Sequence, residues 1–441
     1  MKSIDMNISS NFIDYLIEKR AHISERTYVL AKKCLIDFVC TAYAGYQLNI
    51  KHFMPLMNAL PAGVIPLFGS DKKMEGIYAC MFNAFDAHST ELDDGNRFAM
   101  IHLGSNIIAS LISLLDKSDI NAKDFLDGII IGYEAACRIA KCMQPSHKNK
   151  GFHTSGTCGT IGSAMACAIA LNYEKNQMKS VLSCAASSAA GILEIQEDAS
   201  SLKPFNISNA SVNGYKAALF GATGLCGPKD ILGGNRGFLR LFADDFDSDV
   251  LLKEEPSFEI ERTYFKIHAS CRHCHSPVEA TLKLRHLIDL PTVSEINIYI
   301  YKNAIKGHDH KDIYGIQSAK LSISYCVTAA LLFGKSDLSI FTEDCISDNR
   351  IKNLIDCCMI YENPDFSNDL INTRQAIVEI RDKNGFHKEH IVVARGEPEN
   401  PLSMNDILKK YKALTNNDVR YEKLIDEILS ADFDLKSLLE V

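Results

Sequence analysis

A chain of 441 residues is roughly two to three times the usual domain length, so two domains and a large core are expected. Its 46% hydrophobic and 23% charged residues, with a mean hydropathy of -0.04, exclude an extensively disordered chain. A net charge of -8 argues against a nucleic-acid binder, so any anionic ligand must be met by a local positive pocket. The N-terminal stretch MKSIDMNISSNFIDYLIEKR has no signal-peptide core, and no later run reaches the ~20 apolar residues that span a bilayer. A cytoplasmic protein with no membrane contact is the expectation, and the 15 cysteines, scattered through apolar runs, read as small buried hydrophobes.

In chain order, apolar residues from Ser24 to Tyr46 recur at helical spacing, with Ser24 as N-cap and Gly45 near the end. A second helical run, GIYACMFNAFDAHST, leads into HSTELDDGNRFAMIHLGSN, residues 88–106. This knot sets His88 and His102 around Glu91, Asp93 and Asp94, with a turn at Asp94-Gly95-Asn96. His88 and Glu91 are expected to hold the turn in shape. Two more helices fill residues 107–143. A further helix, capped by Thr154 or Ser155, carries Gly156, Gly159 and Gly162 on a face suited to close packing, and His153 stands just before its N-terminus, where free N–H groups favour an anion. VLSCAASSAAGILEIQEDA, residues 181–199, reads as a helix; Lys203-Pro204 opens an irregular stretch; Asn213 to Thr223 reads as helical again.

Residues 244–258 turn acidic and irregular, which marks a domain boundary. Beyond it SEINIYIYK alternates as a strand, and two strand runs flank Asn384-Gly385, a hairpin signal. Helical segments lie between them, and the tail returns to helices. The expected fold is mainly α: a large all-helical domain, 1–260 completed by helices 402–441, and a smaller α/β (α+β) lid domain, 261–401.

The polar residues in irregular segments, Asp93, Asp94, His88, His102, His153, Lys203, Lys266 and Arg272, suit proton transfer on an anion. Removing a proton beside a carboxylate needs a base at the C–H, cations to hold the developing enolate, and an acid for the leaving group. The run YFKIHASCRHCHSPVEA adds Cys271, Cys274 and His275, a C-x2-C-H grouping of the kind that ligates zinc or serves thiol redox chemistry. No second cysteine pair of matching spacing accompanies it, and a basic cluster of Lys266, Arg272 and His275 over packed cysteines is the preferred reading.

Six ordered spans, HSTELDDGNRFAMIHLGS, GFHTSGTCGTIGSA, SVNGYKAALFGATGLCGPKDILGGNRGF, FKIHASCRHCHSPVEA, AKLSISYCVTAALLFG and ARGEPENPLSMNDILKKYKAL, resemble the MmgE/PrpD family, which includes 2-methylcitrate dehydratase, cis-aconitate decarboxylase and iminodisuccinate epimerase. The resemblance runs from about residue 10 to about residue 430. It implies a homodimer and a cofactor-free, metal-independent site in the cleft between domains. It implies Asp93, His102, His153, Lys203, Lys266 and Tyr325 as catalytic residues, with Arg272 and His275 at positions common in the family. Gly95, Asn96 and Arg97 replace the threonine and histidine usual there, and Leu103 replaces a common proline. Asn96 and Arg97 therefore become candidate specificity residues on the substrate-binding wall. The implied function is a lyase acting on a small di- or tricarboxylate, most like 2-methylcitrate dehydratase, with decarboxylation and epimerisation as the alternatives. A non-catalytic helical dimer that binds a metabolite is the reading from a different class.

Overall fold

The computed structural model describes residues 7–197, 200–368 and 373–441. Helices α1 (Ile8–Arg20) and α2 (Glu25–Ala59) open the chain, the second starting where the Ser24 hydroxyl accepts from the Thr27 amide at 3.3 Å. The spacing predicts an end near Gly45, but α2 runs on to Ala59. Gly45 is there for packing. A Cβ on it would lie 1.8 Å from the Asp86 carbonyl oxygen, so its missing side chain is what lets α3 (Gly76–Ser89) cross so closely.

Helices α4 (Gly104–Ile112), α5 (Ala122–Met143), α6 (Thr154–Ala170), α7 (Lys175–Ser188) and α8 (Lys203–Gly221) build the rest of the helical body. Every residue of α6 is buried, and α4, α5, α7 and α8 all pack on it. A helix covered on all sides tolerates no polar face, and its small residues permit the approach. A Cβ at Gly162 would meet the Ala136 Cβ at 2.6 Å, so Gly162→Ala would overpack this contact at a cost of ~1–3 kcal/mol.

The helix expected over residues 181–199 stops at Ser188, the backbone turning extended at Ala189; Asp198 and Ala199 lie outside the described residues. Lys203-Pro204 opens a helix instead of an irregular stretch, because proline in the first turn loses only an N–H that has no partner there.

A two-residue ladder joins β1 (Gly95–Asn96) to β2 (Thr263–Tyr264), tying the polar knot to the chain beyond the acidic segment. After α9 (His275–Leu284) comes a four-stranded sheet in the order β4-β3-β5-β6, from β3 (Glu295–Ile300), β4 (Cys358–Glu362), β5 (Ala376–Asp382) and β6 (Gly385–Ile391). Asp382 pairs with Gly385, so the hairpin turns on Lys383 and Asn384. Strand β4, parallel to β3, was not foreseen; it is short, and Met359 and Tyr361 on it are exposed. Helix α9 covers β5 and β6, with α10 (Ile316–Leu321) and α11 (Ile323–Phe333) nearby. The last helices, α12 (Met404–Leu414) and α13 (Val419–Leu429), return to α2, where Lys410 donates to buried Asp37 at 2.5 Å. The protein is mainly α with small sheets. No helix among the described residues is long and apolar enough to cross a membrane.

Candidate active site

Helix α3 ends at Ser89, and the chain then turns through Glu91, whose φ of 55° is a left-handed conformation uncommon for a non-glycine residue. The turn folds Asp93 back on His88, whose Nδ1 meets Asp93 Oδ2 at 2.7 Å. The Ser105 hydroxyl donates to the same oxygen at 2.9 Å. His102 Nδ1 lies 3.4 Å from that oxygen and 2.8 Å from the Asp94 carbonyl oxygen. A carbonyl only accepts, so Nδ1 carries the proton and His102 Nε2 keeps a free lone pair. Burial alone would raise Asp93, but His88, His102 and Lys266 hold it below the usual carboxylate range, so it is ionised. Burial and the nearby Lys266, His88 and Lys203 charges lower His102 to about 3 against the pull of Asp93, which leaves it neutral.

Glu91 does more than shape the turn. Its two oxygens accept from Lys203, at the start of α8, and from Lys266 just beyond β2, the latter at 2.9 Å. Burial opposes its ionisation, yet the two ammonium groups bring Glu91 well below its ordinary value. Lys266 is fully buried; burial pulls its proton affinity down, and Glu91 and Asp93 more than restore it. Lys320 on α10, which the sequence reading did not single out, donates to the Ser89 carbonyl at 2.8 Å from the other side of the turn. Burial and the neighbouring lysines lower it to about 8, against the pull of Glu91.

His153 is the N-cap residue of α6. The Asn206 amide donates to its Nδ1 at 3.0 Å and to the Ile192 carbonyl at 3.2 Å. With Nδ1 accepting, the proton of neutral His153 sits on Nε2. Burial first, and then the Lys203 charge, keeps His153 well below the usual histidine value and therefore neutral. The two imidazoles are thus held in opposite tautomers: His102 offers an acceptor, His153 a donor.

His102 also lines a cavity of about 530 Å³. Arg97, Lys141, Lys148, Arg272 and Arg374 line it too, and no Asp or Glu among the described residues does. Glu397 sits behind this wall, accepting from Arg272 at 2.6 and 2.9 Å and from Arg97 at 2.7 Å. Burial would raise Glu397, but Arg272, Arg374 and Arg97 bring it down to about 2. Arg97 is further clamped by Glu399 and lies over the Phe98 ring. Arg374 Nε is buried without a hydrogen-bond partner among the described residues. A larger cavity of about 600 Å³ sets Arg395, Lys409 and Lys410 beside the carboxylates Asp337 and Asp406, and among the described residues no histidine lines it.

The structure therefore brings Asp93, His102, Lys203 and Lys266 together with Glu91, sets His153 near enough to feel the Lys203 and Glu91 charges, and places Arg272 and Arg97 on the adjoining wall. Three candidates have other places. The Tyr325 hydroxyl donates to the Ile340 carbonyl at 2.6 Å and its ring packs on Phe341, so its proton is committed away from the cluster. His275 Nδ1 accepts from Arg272 at 2.7 Å and its Nε2 meets the Ser270 carbonyl at 3.3 Å, which makes it a support for Arg272. Asn96 lines the cavity, but its side chain accepts from the Ala99 amide and donates toward Glu259, so it fixes the loop. The C-x2-C-H grouping is also taken apart: Cys271 turns to His308, Cys274 is buried toward the Leu321 carbonyl, and His275 belongs to Arg272.

The MmgE/PrpD N-terminal domain matches residues 12–251 and the MmgE/PrpD C-terminal domain matches residues 268–434. The cis-aconitate decarboxylase-like protein oryM of Aspergillus oryzae is 22% identical over 450 aligned residues, covering 95% of this chain and 92% of that protein. Human cis-aconitate decarboxylase is 23% identical over 416 residues, covering 90% of this chain and 85% of its own length. With both of its domains matched in order along nearly the whole chain, the protein belongs to the MmgE/PrpD family.

Proposed function

We propose that the protein is a lyase of small di- or tricarboxylates whose reaction passes through a carbanion stabilised beside a carboxylate. One observation carries this reading: a histidine with a free Nε2 lone pair, backed by an ionised aspartate, lines a cavity that holds five cations and, among the described residues, no carboxylate. Arg97, Arg272 and Arg374 hold substrate carboxylates in charge-assisted pairs. Lys203 and Lys266, oriented by Glu91, stabilise the enolate oxygens as charge develops. An entering polyanion also offsets the positive potential that keeps His102 a weak base, and so strengthens it when substrate is bound.

In dehydration, His102 Nε2 takes the proton from carbon, the electron pair passes into the carboxylate-stabilised enolate, and the leaving hydroxyl takes the His153 Nε2 proton. In decarboxylation, the C–C pair of the departing carbon dioxide enters the same delocalised system, and a histidine N–H protonates the carbon. The sequence points to a 2-methylcitrate-type dehydration, whereas both relatives are named for cis-aconitate decarboxylation, and that favours loss of carbon dioxide. Parallel assays on 2-methylcitrate and cis-aconitate, reading loss of substrate and release of carbon dioxide, test the proposal. Turnover of either, abolished in His102→Asn, supports it; no turnover of either or of citrate and iminodisuccinate contradicts it. We further propose a homodimer, to be tested by light scattering; a monomeric mass would overturn that.

A further inference from the structure

The cavity wall carries a second reactive group that the lyase chemistry does not use, Cys271, with His308 beside it. Cys271 Sγ lies 3.2 Å from His308 Nε2. His308 Nδ1 donates to the Lys306 carbonyl at 3.1 Å, so Nε2 is the nitrogen left to take the thiol proton. A thiol, a base within reach, and a third group orienting that base are the parts of an activated nucleophile. The His273 ring packs edge-on against His308 at 4.9 Å and is itself tied to the Tyr301 hydroxyl at 2.5 Å, which braces the base. Burial by itself raises the Cys271 thiol, but the His308 charge and hydrogen bond outweigh it and hold the thiol below its ordinary range.

Location adds to the chemistry. Cys271 faces the cavity shared with Lys148, Arg272 and Arg374, so one positive field favours both the thiolate and an arriving anion. Most other cysteines are buried, and burial pushes thiols such as Cys80 and Cys167 up to about 12. Cys226 is exposed and serves as an internal reference.

We propose that Cys271, paired with His308, is a nucleophilic modification site that captures small anionic carbon electrophiles drawn into the cavity, α,β-unsaturated carboxylates in particular. The naming of unsaturated acids rests on the lyase reading, since loss of water or carbon dioxide makes products of that class; the reactivity of the thiol does not. In the addition, a sulfur lone pair forms the S–C bond at the β-carbon. The C=C π pair moves to the α-carbon, which takes the proton from His308 Nε2. The thiol adds across the double bond and nothing is oxidised. The adduct then occupies the space beside Arg272 and Arg374 and excludes substrate.

The test treats the full chain with limiting iodoacetate, and separately with iodoacetamide, and follows Cys271 and Cys226 by peptide mass spectrometry. With iodoacetate the S–C bond forms as iodide leaves, and Cys271 should react roughly tenfold faster than Cys226, with citrate slowing it and His308→Gln removing the advantage. The preference for the anionic reagent should hold at Cys271 and reverse at Cys226, a comparison that needs no variant. Equal or slower reaction of Cys271 with iodoacetate, or no effect of citrate, overturns the proposal. Prolonged incubation with maleate should add the mass of the whole acid at Cys271; its absence while iodoacetate still reacts overturns the unsaturated-carboxylate assignment. None of these readouts requires turnover, so failure of the lyase reading is seen separately.

Discussion

Replacing Asp93 with Asn keeps the shape of the side chain and removes the charge behind His102. At the 3.4 Å between His102 Nδ1 and Asp93 Oδ2, and an effective dielectric of ~20, a unit charge pair attracts by about 5 kcal/mol. That is equivalent to roughly 3.6 pKa units of basicity for His102. Asp93 raises the proton affinity of His102, so its loss lowers it. The acid limb of kcat/KM should then move to lower pH while the plateau falls by ~10²–10⁴-fold, the range of general-base catalysis. The assay is a pH–rate profile of wild type and Asp93→Asn on whichever carboxylate is turned over, with thermal melting as a folding check. A folded variant with kcat within about threefold of wild type and an unmoved acid limb would refute the assignment of Asp93 as the charge behind the base.

Glu91→Gln removes the carboxylate that Lys203 and Lys266 share, leaving Lys266 with Asp93 alone at 3.8 Å, and should destabilise the protein by ~3–5 kcal/mol, read by chemical denaturation. Arg374→Ala should raise KM about tenfold with little change in kcat, because the residue holds carboxylates in ground and transition states alike. Glu397 titrates lower in the folded state, at about 2, than the ~4.3 of an unfolded glutamate, so its stabilisation is complete above the higher value and is lost as pH falls toward the lower one. Glu397→Gln should therefore flatten the acid side of the stability curve and, by releasing Arg97 and Arg272, raise KM.

The parts of the site that are local in sequence could be read from it. Asp93 and His102 share one loop, and His153 stands at a helix start that the following small residues announce. Lys203 and Lys266 were found by residue type and motif, but their common partner was not: Glu91 and Lys266 are 175 positions apart, and no periodicity links them. The same holds for Glu397, 300 positions from Arg97, and for Arg374 and Lys320. Tyr325 shows the reverse case, a motif residue whose hydroxyl the fold commits to a main-chain carbonyl. In the fold, local signals erred where tertiary packing overrode them: Gly45 permits a helix crossing instead of ending a helix, and Pro204 begins one. The strand Cys358–Glu362 carries exposed apolar residues on a short run, so its alternation gave no inside face to find.

The proposed reaction turns on a carbanion formed beside a carboxylate under His102 and the lysine pair. Its most direct test is proton NMR of the protein incubated in deuterated water with 2-methylcitrate, citrate, cis-aconitate and iminodisuccinate in turn. Deuterium is expected at the carbon next to a carboxylate, or in an unsaturated product labelled there, with one of these acids, and the signal should be lost in His102→Asn. Unlabelled, unconverted acids throughout the panel would contradict it.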